Sequence, residues 1–145
     1  MENFDEICDL ENFFQQSKTF KNNKPFKYAF IEGFFKRDFY EKLFETYPEY
    51  KKDDGYWSTS TEFTKHQFYR GWGKYNPHHY VGQDSDPKLS LEWNKFFKFL
   101  HSDEFLNALK KFSGVAVDKM KTFRFVLYRK GGFQLPHVHN DGPST

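Results

Sequence analysis

Tyr128-Arg129-Lys130-Gly131-Gly132-Phe133-Gln134-Leu135-Pro136-His137-Val138-His139-Asn140-Asp141 is the stretch on which the fold of this chain turns. It continues a β-prone run, Thr122-Phe123-Arg124-Phe125-Val126-Leu127-Tyr128. Lys130-Gly131-Gly132 predicts a turn, and Phe133-Gln134-Leu135 then resumes extended backbone. Residues two apart on a strand share a face, so His137 and His139 present imidazoles to one side, as His139 does with Asp141. Arg124 and Arg129 flank Tyr128, with Arg124 on its face; they read as a carboxylate anchor or as an ordinary solvated strand face.

Upstream of this stretch the pattern is helical. Ser102 predicts a helix start, with Asp103 and Glu104 in the first turn, Phe105, Leu106, Leu109 and Phe112 as the apolar set, Lys110 and Lys111 near the end and Gly114 just past it. Asp86-Pro87 reads as the N-cap and first residue of another helix, whose stripe of Leu89, Trp93, Phe96, Phe97 and Leu100 is core by its spacing. Between residues 51 and 86 the period is lost among five glycines and prolines, and such a stretch is either a binding loop or contains unrecognised strands. Tyr56-Trp57-Ser58-Thr59-Ser60-Thr61 and Gln67-Phe68-Tyr69-Arg70-Gly71-Trp72 are the two strand candidates there. Trp57, Tyr69, Trp72, Tyr75 and Tyr80 either line a substrate groove or plug the fold. Nearer the start, Asp38 with Glu41 predicts a helix burying Tyr40, Leu43, Phe44 and Tyr47 before Pro48, and Phe26-Lys27-Tyr28-Ala29-Phe30-Ile31 predicts a strand. The opening, with Phe4, Ile7, Leu10, Phe13 and Phe14 at helical spacing, predicts one apolar face, followed by a polar stretch over 15–24.

Composition narrows the function classes. At 145 residues the chain suits one domain spanning 1–145, a helical and β region over 1–115 followed by strands over 116–145. Its 32 aromatic rings, 22% of the residues, supply a core where the overall apolar share of 37% is modest, and they exclude disorder for most of the chain. Twenty-two basic and twenty acidic residues interleave to a net charge of +2, which provides no cationic groove for nucleic acid. One cysteine, Cys8, allows no internal disulfide, the acidic Met1-Glu2-Asn3-Phe4-Asp5-Glu6 is unlike a signal peptide, and no apolar stretch is long enough to span a membrane. The expectation is a soluble cytoplasmic protein.

The His-Val-His-Asn-Asp cluster is the densest set of metal-ligating side chains. Two imidazoles and a carboxylate that leave coordination positions open are the donor set of a non-haem Fe(II) oxygenase, whereas a surface strand-to-loop corner with an Asx turn accounts for the same residues without metal. His78-His79 after Pro77 reads as loop surface, because neighbouring side chains on extended backbone diverge.

The order of elements, from Phe26-Lys27-Tyr28-Ala29-Phe30-Ile31-Glu32-Gly33-Phe34-Phe35 through Ser102-Asp103-Glu104-Phe105-Leu106 to Tyr128-Arg129-Lys130-Gly131-Gly132-Phe133-Gln134-Leu135-Pro136-His137, resembles the N-terminal part of the 2-oxoglutarate and Fe(II)-dependent dioxygenases of the prolyl-hydroxylase-like branch. The resemblance implies an α+β fold in which packed helices precede the first strands of a double-stranded β-helix, or jelly roll, here incomplete. It further implies Fe(II) as metal, 2-oxoglutarate as co-substrate, ascorbate as a supporting reductant, and hydroxylation of a small molecule or a protein side chain. Tyr128 takes the place of the tyrosine that touches the co-substrate, and the metal pair is drawn from His137, His139 and Asp141. Two alignments stay open: by distance from the Gly-Gly turn His137 is the motif histidine, with His139 where the family has Asp, while His139-Asn140-Asp141 is the literal His-any-Asp match. The family's distal histidine and basic carboxylate anchor follow that motif, and only Asn140 to Thr145 follow His139, so the chain reads as the front portion of such an enzyme. Its uncovered sheet predicts a homodimer or a partner chain, and the competing expectation is a non-catalytic interaction module on the same fold.

Overall fold

Ser90 and Ser102 each stand one residue before an apolar helical run, and each side-chain oxygen accepts a hydrogen bond from the third residue on, Trp93 N and Phe105 N, both at 3.2 Å. In the computed structural model, which describes residues 4–72, 85–120 and 123–136, the chain forms two compact units. The described parts of Met1–Pro48 and Gly82–Lys121 make the first, and those of Glu49–Val81 and Thr122–Thr145 the second.

The first unit is helical, with α1 (Leu10–Gln15), α2 (Ser17–Asn22), α3 (Arg37–Glu45), α4 (Leu91–Leu100) and α5 (Asp103–Ser113). Its interior is aromatic. Phe97 and Phe99 of α4 and Ile7 are essentially inaccessible, and Phe99 meets Phe4 and Phe105 at ring separations of 5.3 and 4.8 Å. A second cluster stacks Phe13 of α1 on Phe112 of α5 at 4.4 Å, with Phe20 of α2 at 5.0 Å from the same ring. Ser17 Oγ donates to the Phe112 carbonyl at 2.7 Å, so the polar segment after α1 forms a short helix that ties down the end of α5.

Three expectations for this unit are corrected. The run 26–31 forms no strand; Phe26, Tyr28 and Phe30 are exposed, because a β-prone sequence needs a neighbouring chain for its backbone groups, and the local antiparallel bridge joins Cys8 to Phe35 instead. Helix α3 has Lys36, not Asp38, at its N-cap and buries Phe39 and Leu43, leaving Tyr40 and Phe44 to stack on each other in solvent at 6.2 Å. Asp86-Pro87 opens a turn and not a helix: the Asp86 carboxylate accepts from Lys88 N at 2.8 Å, and Asn94 of α4 brackets its backbone by accepting from Asp86 N at 2.6 Å and donating to Asp86 O at 3.0 Å.

The second unit is an open antiparallel sheet of β1 (Trp57–Glu62), β2 (Lys65–Gly71), β3 (Arg124–Leu127) and β4 (Phe133–Gln134). The two strand candidates within 51–86 are therefore a hairpin, Trp57↔Arg70 through Glu62↔Lys65. Strands β3 and β4 both pair with the other edge of β2, in the same antiparallel sense. Between the pairs Phe68↔Leu127 and His66↔Phe133, the outer chain spends five residues, Tyr128 to Gly132, opposite the single residue Gln67. The expected Gly-Gly turn exists, closed by Gly132 N to Arg129 O at 2.7 Å with Gly131 at φ +83°, yet it does not reverse the chain. It is an excursion from one continuous edge, comparable to an enlarged β-bulge. The architecture is mixed α+β with a small open antiparallel sheet.

Candidate functional site

Register sorts the sheet into two unlike faces. One carries Trp57, Phe68 and Phe125, and Tyr50 packs on it at 4.5 Å from the Phe68 ring and 5.7 Å from Trp57. The Arg129 guanidinium lies 4.6 Å from the Tyr50 centroid and 5.4 Å from Phe68, so this arginine leaves the strand face expected for it and is held by aromatic stacking. Arg70, buried on the same face, sits over Tyr56 at 4.8 Å. Of the five unsettled aromatic residues, Trp57 and Trp72 plug this layer: Trp57 donates to Glu49 O at 2.9 Å and Trp72 meets Phe123 edge-on at 5.6 Å. Tyr69 is half-buried on the opposite face, and Tyr75 and Tyr80 lie outside the described residues.

The opposite face is polar. Ser60 of β1 and Gln67 of β2 are register partners there, with only 7% and 4% of their surfaces accessible. Tyr128 joins them from the start of the excursion. Its phenol oxygen stands 2.9 Å from Gln67 Oε1 and 2.6 Å from Gln134 Oε1. Gln134 in turn pairs with Lys65, whose ammonium lies 3.4 Å from Glu62. Arg124 is exposed at the far end of β3, opposite Gly71. The expected co-substrate tyrosine is thus at the half-exposed edge of a sheltered polar patch of amide and hydroxyl groups, in which Ser60 Oγ donates to Glu62 Oε1 at 3.2 Å.

Gln67 and Gln134 were not singled out by the sequence. Gln67 stands one residue before an aromatic run and Gln134 follows a phenylalanine, and nothing short of register arithmetic across the excursion brings them to one phenol.

The proposed metal ligands His137, His139 and Asp141 lie outside the described residues, as do His78 and His79. The upstream histidines that are described have other partners. His66 sits on the aromatic face, 6.1 Å from the Phe68 ring, and His101 caps α4 with Nδ1 2.8 Å from Phe97 O and its ring tilted against Phe97 at 4.2 Å. Among the described residues no group of three or more His, Cys, Asp or Glu side chains is arranged to hold a metal ion.

The helical unit has a groove of about 1290 Å³ beside α3 and α4. Its lining mixes acidic and basic side chains: Lys95 bonds Glu6, holding that carboxyl below its usual range, and Lys42 lies 3.8 Å from Glu92. Such a groove presents no field of one sign. Cys8 is buried, and desolvation together with the Glu104 and Asp9 carboxylates pushes its thiol up to about 12, which removes it from nucleophilic chemistry. No described helix is long and apolar enough to cross a membrane. No family model, no curated protein and no solved structure matches the chain.

Proposed function

We propose that the chain forms the front of a 2-oxoglutarate and Fe(II)-dependent oxygenase, with β3, the excursion and β4 as the first edge of its jelly roll. The observation that carries this reading is Tyr128: it precedes the Gly-Gly turn and the histidine cluster, where the resemblance implies a co-substrate tyrosine, and its phenol stands at the rim of a sheltered polar patch beside two amides. Tyr128 stands half-exposed at the rim while Ser60 and Gln67 behind it are buried, so a carboxylate can reach the phenol from solvent and accept a charge-assisted hydrogen bond from it. His137 or His139, together with Asp141, would hold the metal. When bound, iron and 2-oxoglutarate supply the oxygen chemistry, in which dioxygen inserts one oxygen into a C–H bond and the other into succinate, with loss of carbon dioxide. The protein's own part is to receive the co-substrate carboxylate at Tyr128, shield it against Ser60 and Gln67, and present a small molecule or a protein side chain from the 51–86 side. The compartment proposed is the cytoplasm, and ascorbate would keep the metal ferrous.

A second reading is favoured by a separate observation. The outer edge of β1 has no strand partner among the described residues, which suits a non-catalytic module that covers its sheet with a second copy or another chain. Succinate release from 2-oxoglutarate, with Fe(II) and ascorbate supplied, separates the two. The oxygenase releases succinate above a metal-free control, and a module releases none.

A further inference from the structure

We propose that Gln67 and Gln134 are positioning residues that aim the single proton of Tyr128 at the incoming carboxylate, an inference that rests on the oxygenase reading of this site. A phenol has one O–H to donate and two lone pairs to offer. In the structure its oxygen is within hydrogen-bond distance of two amide oxygens, Gln67 Oε1 at 2.9 Å and Gln134 Oε1 at 2.6 Å. One proton serves one of them, and while it does so the ligand receives nothing. Each amide also carries an NH2 on its other arm, and a half-turn about the last side-chain bond exchanges the two. With both NH2 groups turned to the phenol, both lone pairs are filled and the O–H is released outward.

The stoichiometry is what selects this arrangement: two amides, two lone pairs, one proton left for the ligand. The excursion is what builds it. Gln67 is the residue opposite the excursion and Gln134 lies just past its end, so the extra residues let a single side chain, Tyr128, reach both. The trio is neutral, and the neighbouring Lys65 is engaged by Glu62. A ligand carboxylate therefore gains a charge-assisted hydrogen bond from the phenol that water or a neutral ligand does not.

The test is a double-mutant cycle read by calorimetric titration of 2-oxoglutarate into the protein loaded with Mn(II), a metal that binds such sites without turnover. Gln134→Met, Gln67→Met and Tyr128→Phe are each compared with the corresponding doubles; methionine keeps the volume and removes the NH2 without adding charge. Each amide variant is expected to weaken binding about three- to tenfold when Tyr128 is present and less than twofold in the Tyr128→Phe background. Gln134 is exposed, so its arm of the cycle survives if the buried Gln67→Met does not fold. Equal weakening in both backgrounds, or none in either, overturns the positioning role while leaving the oxygenase reading intact. Absence of any 2-oxoglutarate heat in the unmutated, metal-loaded protein overturns both.

Discussion

At Gly132 an added Cβ would stand 2.9 Å from the carbonyl oxygen of Arg129 and 3.0 Å from that of His66, both backbone atoms that no side-chain rotation can move aside. The glycine is required by this close approach and not by its φ. Gly132→Ala is expected to destabilise the protein by about 1–3 kcal/mol in chemical denaturation, because the excursion must shift off β2 to admit the methyl group. The sequence made the glycine pair readable as a turn, and the Arg129 backbone within that turn is part of what requires the second glycine; the approach of the His66 carbonyl from β2 is the part that left no local mark. Cys8 gives a pH signature. Its thiol ionises near 9.0 when free and about 12 in place, so the unfolded state loses this proton first as pH rises. The contribution is present in full below pH 9 and lost between 9 and 12. The difference in stability between the protein and Cys8→Ala should therefore shrink across that window in urea unfolding at graded pH; a constant difference would contradict the shift.

At the scale of elements, a helix is readable where its ends carry chemistry. Ser102, the acidic pair Asp103 and Glu104, the basic pair Lys110 and Lys111, and Gly114 at φ +76° all agree on α5, and the structure has each in that role. Ser102→Ala should cost about 1 kcal/mol by removing the bond to Phe105 N, while Ser102→Asp should retain it. Helix α3 shows what happens without such agreement. Apolar residues at 39, 40, 43, 44 and 47 define two overlapping stripes, and the choice of Phe39 and Leu43 belongs to the surfaces they pack on, Trp93 of α4 included, whose indole donates to Leu43 O at 3.1 Å. Strands were readable in proportion to their pairing. The 56–61 and 67–72 candidates had each other, pairing as 57–62 with 65–71 across a short turn, whereas 26–31 had the composition of a strand and no partner. β-propensity describes a side chain's fit to a pleated surface, and that surface has to be supplied.

For the whole molecule, the helical unit and the sheet divide the labour. The first contributes a densely aromatic core and a charge-balanced groove, and the second sets a sheltered polar face behind an aromatic one, with Tyr128 at its edge. Of the candidate site, the resemblance singled out Tyr128 alone; the amides that meet its phenol left no such mark, because register across an irregular strand is a property of three segments at once. Central to the oxygenase proposal is that His137 or His139, together with Asp141, would hold one ferrous ion. Anaerobic calorimetric titration of Fe(II) into the protein and into the His137→Ala, His139→Ala, Asp141→Ala triple variant tests it most directly: binding heat in the former and its loss in the latter are predicted, and equal heats in both would contradict it.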